Sequence, residues 1–255
     1  MRKKRPVYLR VMAGITAIII IGVIAFITNA FTGNPISAHF AKKHMISYAT
    51  KKYPDMDLSF SKTEYNFKTG GYTIKASNAN SIDTHFMVNR RSDGYIYDGY
   101  ENYVLGGFNT LDRLGKEMTK DMEPLLKELF KNELSGRLFA DCIGDKKNLE
   151  KGAPPLNTPY NRVMKLNATI YMDFDLKNPT IEEISDRIQK ADKLLKKEGF
   201  SVGGYVVEAL NRDTKKGYMV TVYADIINEK FPEVMKNAFD NNNNSEGVSI
   251  TAVGK

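Results

Sequence analysis

The chain has 255 residues, with 37 Lys+Arg against 30 Asp+Glu and a formal charge of +7. Setting aside the five basic residues among the first ten leaves 32 basic against 30 acidic, so the remainder lacks the concentrated positive charge of a nucleic-acid-binding face. A single cysteine excludes an intrachain disulfide framework.

The first element is apolar. Val11 to Phe31 contains no charged residue, and about 20 such residues in a helix cross a hydrocarbon core about 30 Å thick. Arg2, Lys3, Lys4, Arg5 and Arg10 flank its N-terminal side with no acidic residue among them. This predicts a cytoplasmic basic tail over 1–10, a transmembrane anchor over 11–33 and all later residues outside the cell membrane. A cleaved signal peptide is the competing reading. Its apolar core would run only about 7–15 residues, and Thr28-Asn29-Ala30 departs from a small-x-small cleavage site.

Residues 34–132 read as one small α+β domain. Asn34 suits an N-cap and Pro35 the first helical position. Ile36, Phe40, His44 and Tyr48 follow one i, i+4 row with Ala41, Met45 and Ala49 beside it, and this stripe is expected to pack on a sheet. Tyr53-Pro54-Asp55 ends the helix. Met56, Leu58 and Phe60 alternate, and Tyr65 and Phe67 alternate on the other parity, which predicts a bulge near Lys62-Thr63. Lys68 to Gly71 reads as a hairpin turn into a strand through Tyr72, Ile74 and Ala76. In the next strand Ile82, Thr84, Phe86 and Val88 share one face, leaving Asp83, His85 and Met87 on the other. Leu111, Leu114, Met118, Met122, Leu125 and Leu129 predict a second helix, kinked or restarted at Pro124.

Periodicity fades over 133–163, where Gly152-Ala153-Pro154-Pro155 and Thr158-Pro159 are strong breakers; this stretch is expected to connect two domains and is long enough for part of it to pack as a strand or short helix of its own. Residues 164–255 then resume. Leu166 to Phe174 alternate strictly as a half-buried strand, and Thr180-Ile181-Glu182-Glu183 has capping-box spacing ahead of a helix through Leu195. Strands over Val202–Leu210 and Tyr218–Ile226, a short helix over Phe231–Phe239 and a last strand over Val248–Val253 complete the order β-α-β-β-α-β. The expected class is α+β: a transmembrane helix, an α-β-β-β-α domain and a ferredoxin-like domain.

Candidate chemistry is sparse. Asp83, Thr84 and His85 offer a carboxylate, a hydroxyl and an imidazole, but strand alternation separates Thr84 from the other two, which favours a polar surface pair. His39 and His44 lack the i, i+4 spacing of paired metal ligands, and His44, in the apolar row of its helix, reads as a partly buried, hydrogen-bonded residue. Asp173 and Asp175 share a strand face without further oxygen ligands at a recognisable spacing, so they read as solubilising residues. Cys142 reads as a small buried apolar side chain. Tyr95, Tyr97, Tyr100 and Tyr103 read as core and rim, with a binding surface as the alternative. No catalytic, cofactor-binding or metal-ligating residue is assigned, and no cofactor is expected.

The basic tail, the single apolar helix, Asn34-Pro35, Tyr53-Pro54-Asp55, the segment Tyr65 to Tyr72 and Asp83-Thr84-His85-Phe86 together resemble the YfjL-like family of Gram-positive bacterial membrane-anchored proteins. The resemblance implies a membrane address and a two-domain architecture, and it carries over no catalytic residue. The expected function is a membrane-tethered extracytoplasmic binding or accessory module. Its partners would be the lipid bilayer, through Val11–Phe31, and an envelope protein or peptide. A single-pass sensor or regulator working through a membrane partner is the alternative, with an enzyme third.

Overall fold

The computed structural model describes residues 7–144, 152–241, 244, 245 and 247–254. Arg2 to Arg5 of the basic tail, residues 145–151 of the expected connection and Asn242-Asn243 of the expected loop lie outside them. The chain forms two compact units, dividing between Tyr103 and Val104.

The first unit opens with α1 (Val7–Thr32), all of whose residues are exposed. It is long and apolar enough to cross a membrane. Gly33 and Asn34 interrupt the helix before α2 (Pro35–Lys52), where the Asn34 side chain accepts from the backbone N–H groups of Ile36 and Ser37, as its N-cap chemistry predicts. An antiparallel sheet follows: β1 (Leu58–Phe60), β2 (Glu64–Asn66), β3 (Gly71–Asn78), β4 (His85–Arg90) and β5 (Ile96–Asp98). Its order is β1-β3-β4-β5, with β2 also on β3. The break between β1 and β2 falls at the expected bulge, where the Ser61 hydroxyl takes the Lys75 N–H.

The buried stripe of α2 is Ala41, Met45 and Ala49, facing Ile74, Ala76, Phe86 and Val88. Ile36, Phe40 and His44, expected in the stripe, are exposed. Alanines let the helix backbone approach the sheet closely, so the small-residue row wins over the larger one beside it. Thr84, Phe86 and Val88 are buried as expected, whereas Ile82 is exposed and Asp83 buried. Both precede β4, in a turn where strand alternation does not apply.

The second unit contains α3 (Phe108–Phe130), β6 (Leu134–Asp141), β7 (Ala168–Asp175), α4 (Ile181–Lys197), β8 (Val202–Leu210), β9 (Gly217–Tyr223), α5 (Phe231–Asp240), β10 (Asn244–Ser245) and β11 (Val248–Val253). The sheet order is β10-β11-β9-β8-β7-β6. Three sequence expectations change here. First, α3 belongs to this unit and not to the N-terminal domain: Leu111, Leu114, Met118, Met122, Leu126 and Phe130 enter the second core. The helix continues through the exposed Pro124, so its buried row keeps a spacing of four and passes to Leu126 and Phe130, leaving Leu129 exposed. Second, the connection does not run between the units: it lies within the second, and the strand its length allowed is β6, paired antiparallel with β7. Third, β7 and β8 are parallel and directly hydrogen-bonded, whereas a split ferredoxin-like unit inserts another strand between them. Element order does not encode which strands pair.

Candidate functional site

The three helices of the second unit cover one face of its sheet. Ala168, Ile170, Met172 and Phe174 of β7, with Tyr205, Val207 and Ala209 of β8, point into that core. The alternate residues form an outer face that stays half-buried to exposed. Phe139 and Tyr171 are directly opposed across β6 and β7, and their rings lie parallel with centroids 4.5 Å apart. The Arg137 guanidinium sits 5.8 Å from the Tyr171 ring centre, within cation–π range.

Arg137 also resolves an electrostatic conflict. Asp173 and Glu208 are lateral neighbours on paired strands, where like charges repel. Arg137 donates from Nε to the two Asp173 oxygens at 3.0 and 3.1 Å, and from Nη2 to Glu208 Oε2 at 2.9 Å. Its backbone N–H reaches Asp173 Oδ2 at 2.8 Å. That close approach depends on Gly136, at φ +104, since a Cβ there would stand 2.8 Å from the same oxygen. Hydrogen bonding to Asp173 holds the guanidinium further above its ordinary pKa. Asp175 pairs with Arg212 at 3.2 Å. The two aspartates noted in the sequence therefore each have an arginine partner. The surface presents flat aromatic area beside fixed charges of both signs, which suits stacking and hydrogen bonding to a peptide or a planar group.

A second polar centre lies in the first unit. The Asp98 side chain is 1% exposed. It accepts from Tyr48 Oη at 2.8 Å, Tyr53 Oη at 2.9 Å, Lys52 Nζ at 2.9 Å and the Tyr100 N–H at 2.9 Å. Burial pushes the Asp98 carboxyl up, but the bonds from Lys52, Tyr100, Tyr48 and Tyr53 outweigh it and hold it below its ordinary range. Hydrogen bonding to Asp98 raises the Lys52 ammonium. Burial, then the Asp98 bond, pushes the Tyr53 phenol up to about 12. Since these bonds tie the end of α2 to β5, the centre is structural.

The other sequence candidates are scattered. Asp83 and Thr84 are buried before β4, and His85 begins it half-buried. His39 and His44 are both exposed on α2. Cys142 is buried, and burial, with the Asp141 charge, pushes its thiol up to about 12, far from a reactive thiolate. It lies at the floor of a groove of about 580 Å³ between α3 and β6, flanked by Asp112 and Lys116. Tyr100 packs on Tyr53 and Phe86, whereas Tyr95, Tyr97 and Tyr103 are exposed. Among the described residues, no group of three or more His, Cys, Asp or Glu is placed to hold a metal ion. Arg137, Phe139 and Asp98 were not singled out in the sequence. Gly136 and the register shift between Leu134 and Leu138 break the alternation that would have marked β6, and Asp98 is a lone acid in a tyrosine-rich run.

The model described as the N-terminal domain of YfjL-like proteins matches residues 8–99, and that of the YfjL-like C-terminal domain matches residues 117–246. The structural division between Tyr103 and Val104 falls in the interval between them. The chain is also similar to uncharacterized protein YfjL of Bacillus subtilis strain 168. The two are 22% identical over 222 residues, which cover 84% of this chain and 91% of that one. No solved structure matches the chain.

Proposed function

Because the chain belongs to the YfjL-like family, with both domain models matched in order, we propose that it is a membrane-tethered binding module working outside the cytoplasm. In this reading α1 spans the cell membrane, the basic tail stays inside, and the outer face of the six-stranded sheet engages an envelope protein or peptide. No chemical step is part of the proposal. The observation that carries it is the stack of Arg137, Tyr171 and Phe139 on a sheet face that the unit's own helices leave uncovered. Aromatic and arginine side chains are enriched at interfaces and concentrate binding energy there.

A photo-crosslinking amino acid placed at Phe139 tests this. It is expected to give a discrete adduct in intact cells, while the same probe at Lys193, exposed on the helix-covered side, gives none. Equal adducts from both positions, or none from Phe139, would refute the assignment of this face.

A further inference from the structure

Beyond α1, the exposed large apolar side chains of the first unit include Ile36 and Phe40, on the face of α2 turned from its buried stripe, and Phe67 at the tip of the β2–β3 hairpin. Their place is fixed by the exit of α1. Phe31 is the last large apolar residue of α1, and its ring centre lies 5.8 Å from that of Phe67. The hairpin is held there by specific contacts. Tyr72 Oη takes the Asn34 N–H at 3.2 Å and donates to the Asn34 carbonyl at 3.3 Å. Tyr65 packs so closely on Gly33, at φ +74, that a Cβ there would stand 2.6 Å from its ring. Ile36 follows only two residues beyond the pinned Asn34.

We infer that Phe67 and Ile36 seat the first unit on the outer leaflet of the membrane, entering the headgroup boundary beside the end of α1. This rests on the membrane reading above and adds a second contact with the lipid. The end of a transmembrane run stands at the edge of the hydrocarbon core, so a ring packed on Phe31 shares that depth. Apolar side chains such as Phe bury at this boundary on interfacial segments, and Lys68, next to Phe67 and exposed, has the length to carry its ammonium to the headgroups. The exposed Ile82 provides the contrast. It lies in the β3–β4 connection, at the opposite end of the strand from the hairpin, and eight strand residues span about 26 Å. The seating requires β3 to lead away from the bilayer and so leaves Ile82 in water.

The chain contains no tryptophan, so one substitution supplies a unique fluorophore. Full-length protein carrying Phe67→Trp, Ile82→Trp or Phe26→Trp would be reconstituted in phosphatidylcholine–phosphatidylglycerol vesicles with bromine at a shallow or a deep acyl position. Phe67→Trp should lose more than half of its emission to shallow bromine, and Phe26→Trp, within the span, should lose as much to deep bromine. Ile82→Trp should lose none and remain open to aqueous iodide. A Phe67→Trp signal that behaves like Ile82→Trp while Phe26→Trp is quenched overturns the seating and leaves the anchor intact. If neither Phe26→Trp nor Phe67→Trp is quenched, the membrane reading falls, and the seating with it.

Discussion

The sharpest test of the first unit is removal of the Asp98 carboxylate. Asp98→Ala leaves four donors without their acceptor. Lys52, 44% exposed, turns to water at little cost, whereas the Tyr48 and Tyr53 hydroxyls and the Tyr100 N–H are part-buried. Hydrogen bonds to a charged group contribute about 1.5–3 kcal/mol each, and the carboxylate's own desolvation opposes that gain. Breaking a buried charged network by deleting one member costs about 3–5 kcal/mol in general, and the exposure of Lys52 places this case near the lower end. Asp98→Asn separates the two oxygens. An amide oxygen at Oδ1 still accepts from Tyr53 and Tyr100, while an NH₂ at Oδ2 faces the Lys52 and Tyr48 donors, so about half of the loss is expected. Urea unfolding of the detergent-solubilised chain, followed by near-UV circular dichroism of the tyrosines, measures both. The pH profile carries the sign. The folded Asp98 carboxyl lies below its ordinary value, so its contribution is present above about pH 4 and lost as pH falls through the folded value. Lys52 and Tyr53 are raised, so theirs is present below about pH 10 and lost as pH rises through their folded values. An Asp98→Ala cost that is under about 1 kcal/mol at pH 7, or that persists undiminished in strong acid, would refute an ionic hydrogen-bonded centre.

The remaining predictions concern the second unit and topology. Leu114→Ala should cost about 2–5 kcal/mol in the unfolding of the second unit and leave the first unchanged, because Leu114 is 0% exposed in the second core; a shift confined to the first unit would return α3 to it. With its thiol pushed up to about 12 by burial, Cys142 should resist a disulfide reagent at pH 8 in the native protein and react promptly in urea. Fast native reaction would show that the groove opens. A phosphatase active only outside the cytoplasm, fused at Lys255, should be active if the basic tail sets the topology, and an inactive fusion would reverse it.

Local chemistry made much of this protein readable from its residues. The uncharged run of α1, the Asn34 cap, the strict alternation in β7 and the Thr180 cap, which takes the Glu183 N–H at 3.2 Å, all form within a few residues of sequence. The mixed α+β class and the family also follow from such segments. Choices between distant partners were not readable. Nothing local to α3 says which of two sheets its apolar row will meet, and nothing in β6 overcomes Gly136 and its register shift to announce a strand. Nor does the sequence bring Arg137 between Asp173 and Glu208, 36 and 71 residues further on. Those outcomes depend on strand order and close packing, which are settled by the total buried area and charge satisfaction of the assembled sheet. Helices and caps are decided by neighbours in the chain; the core that claims a helix, and the sheet face left uncovered, are decided only when the layers close.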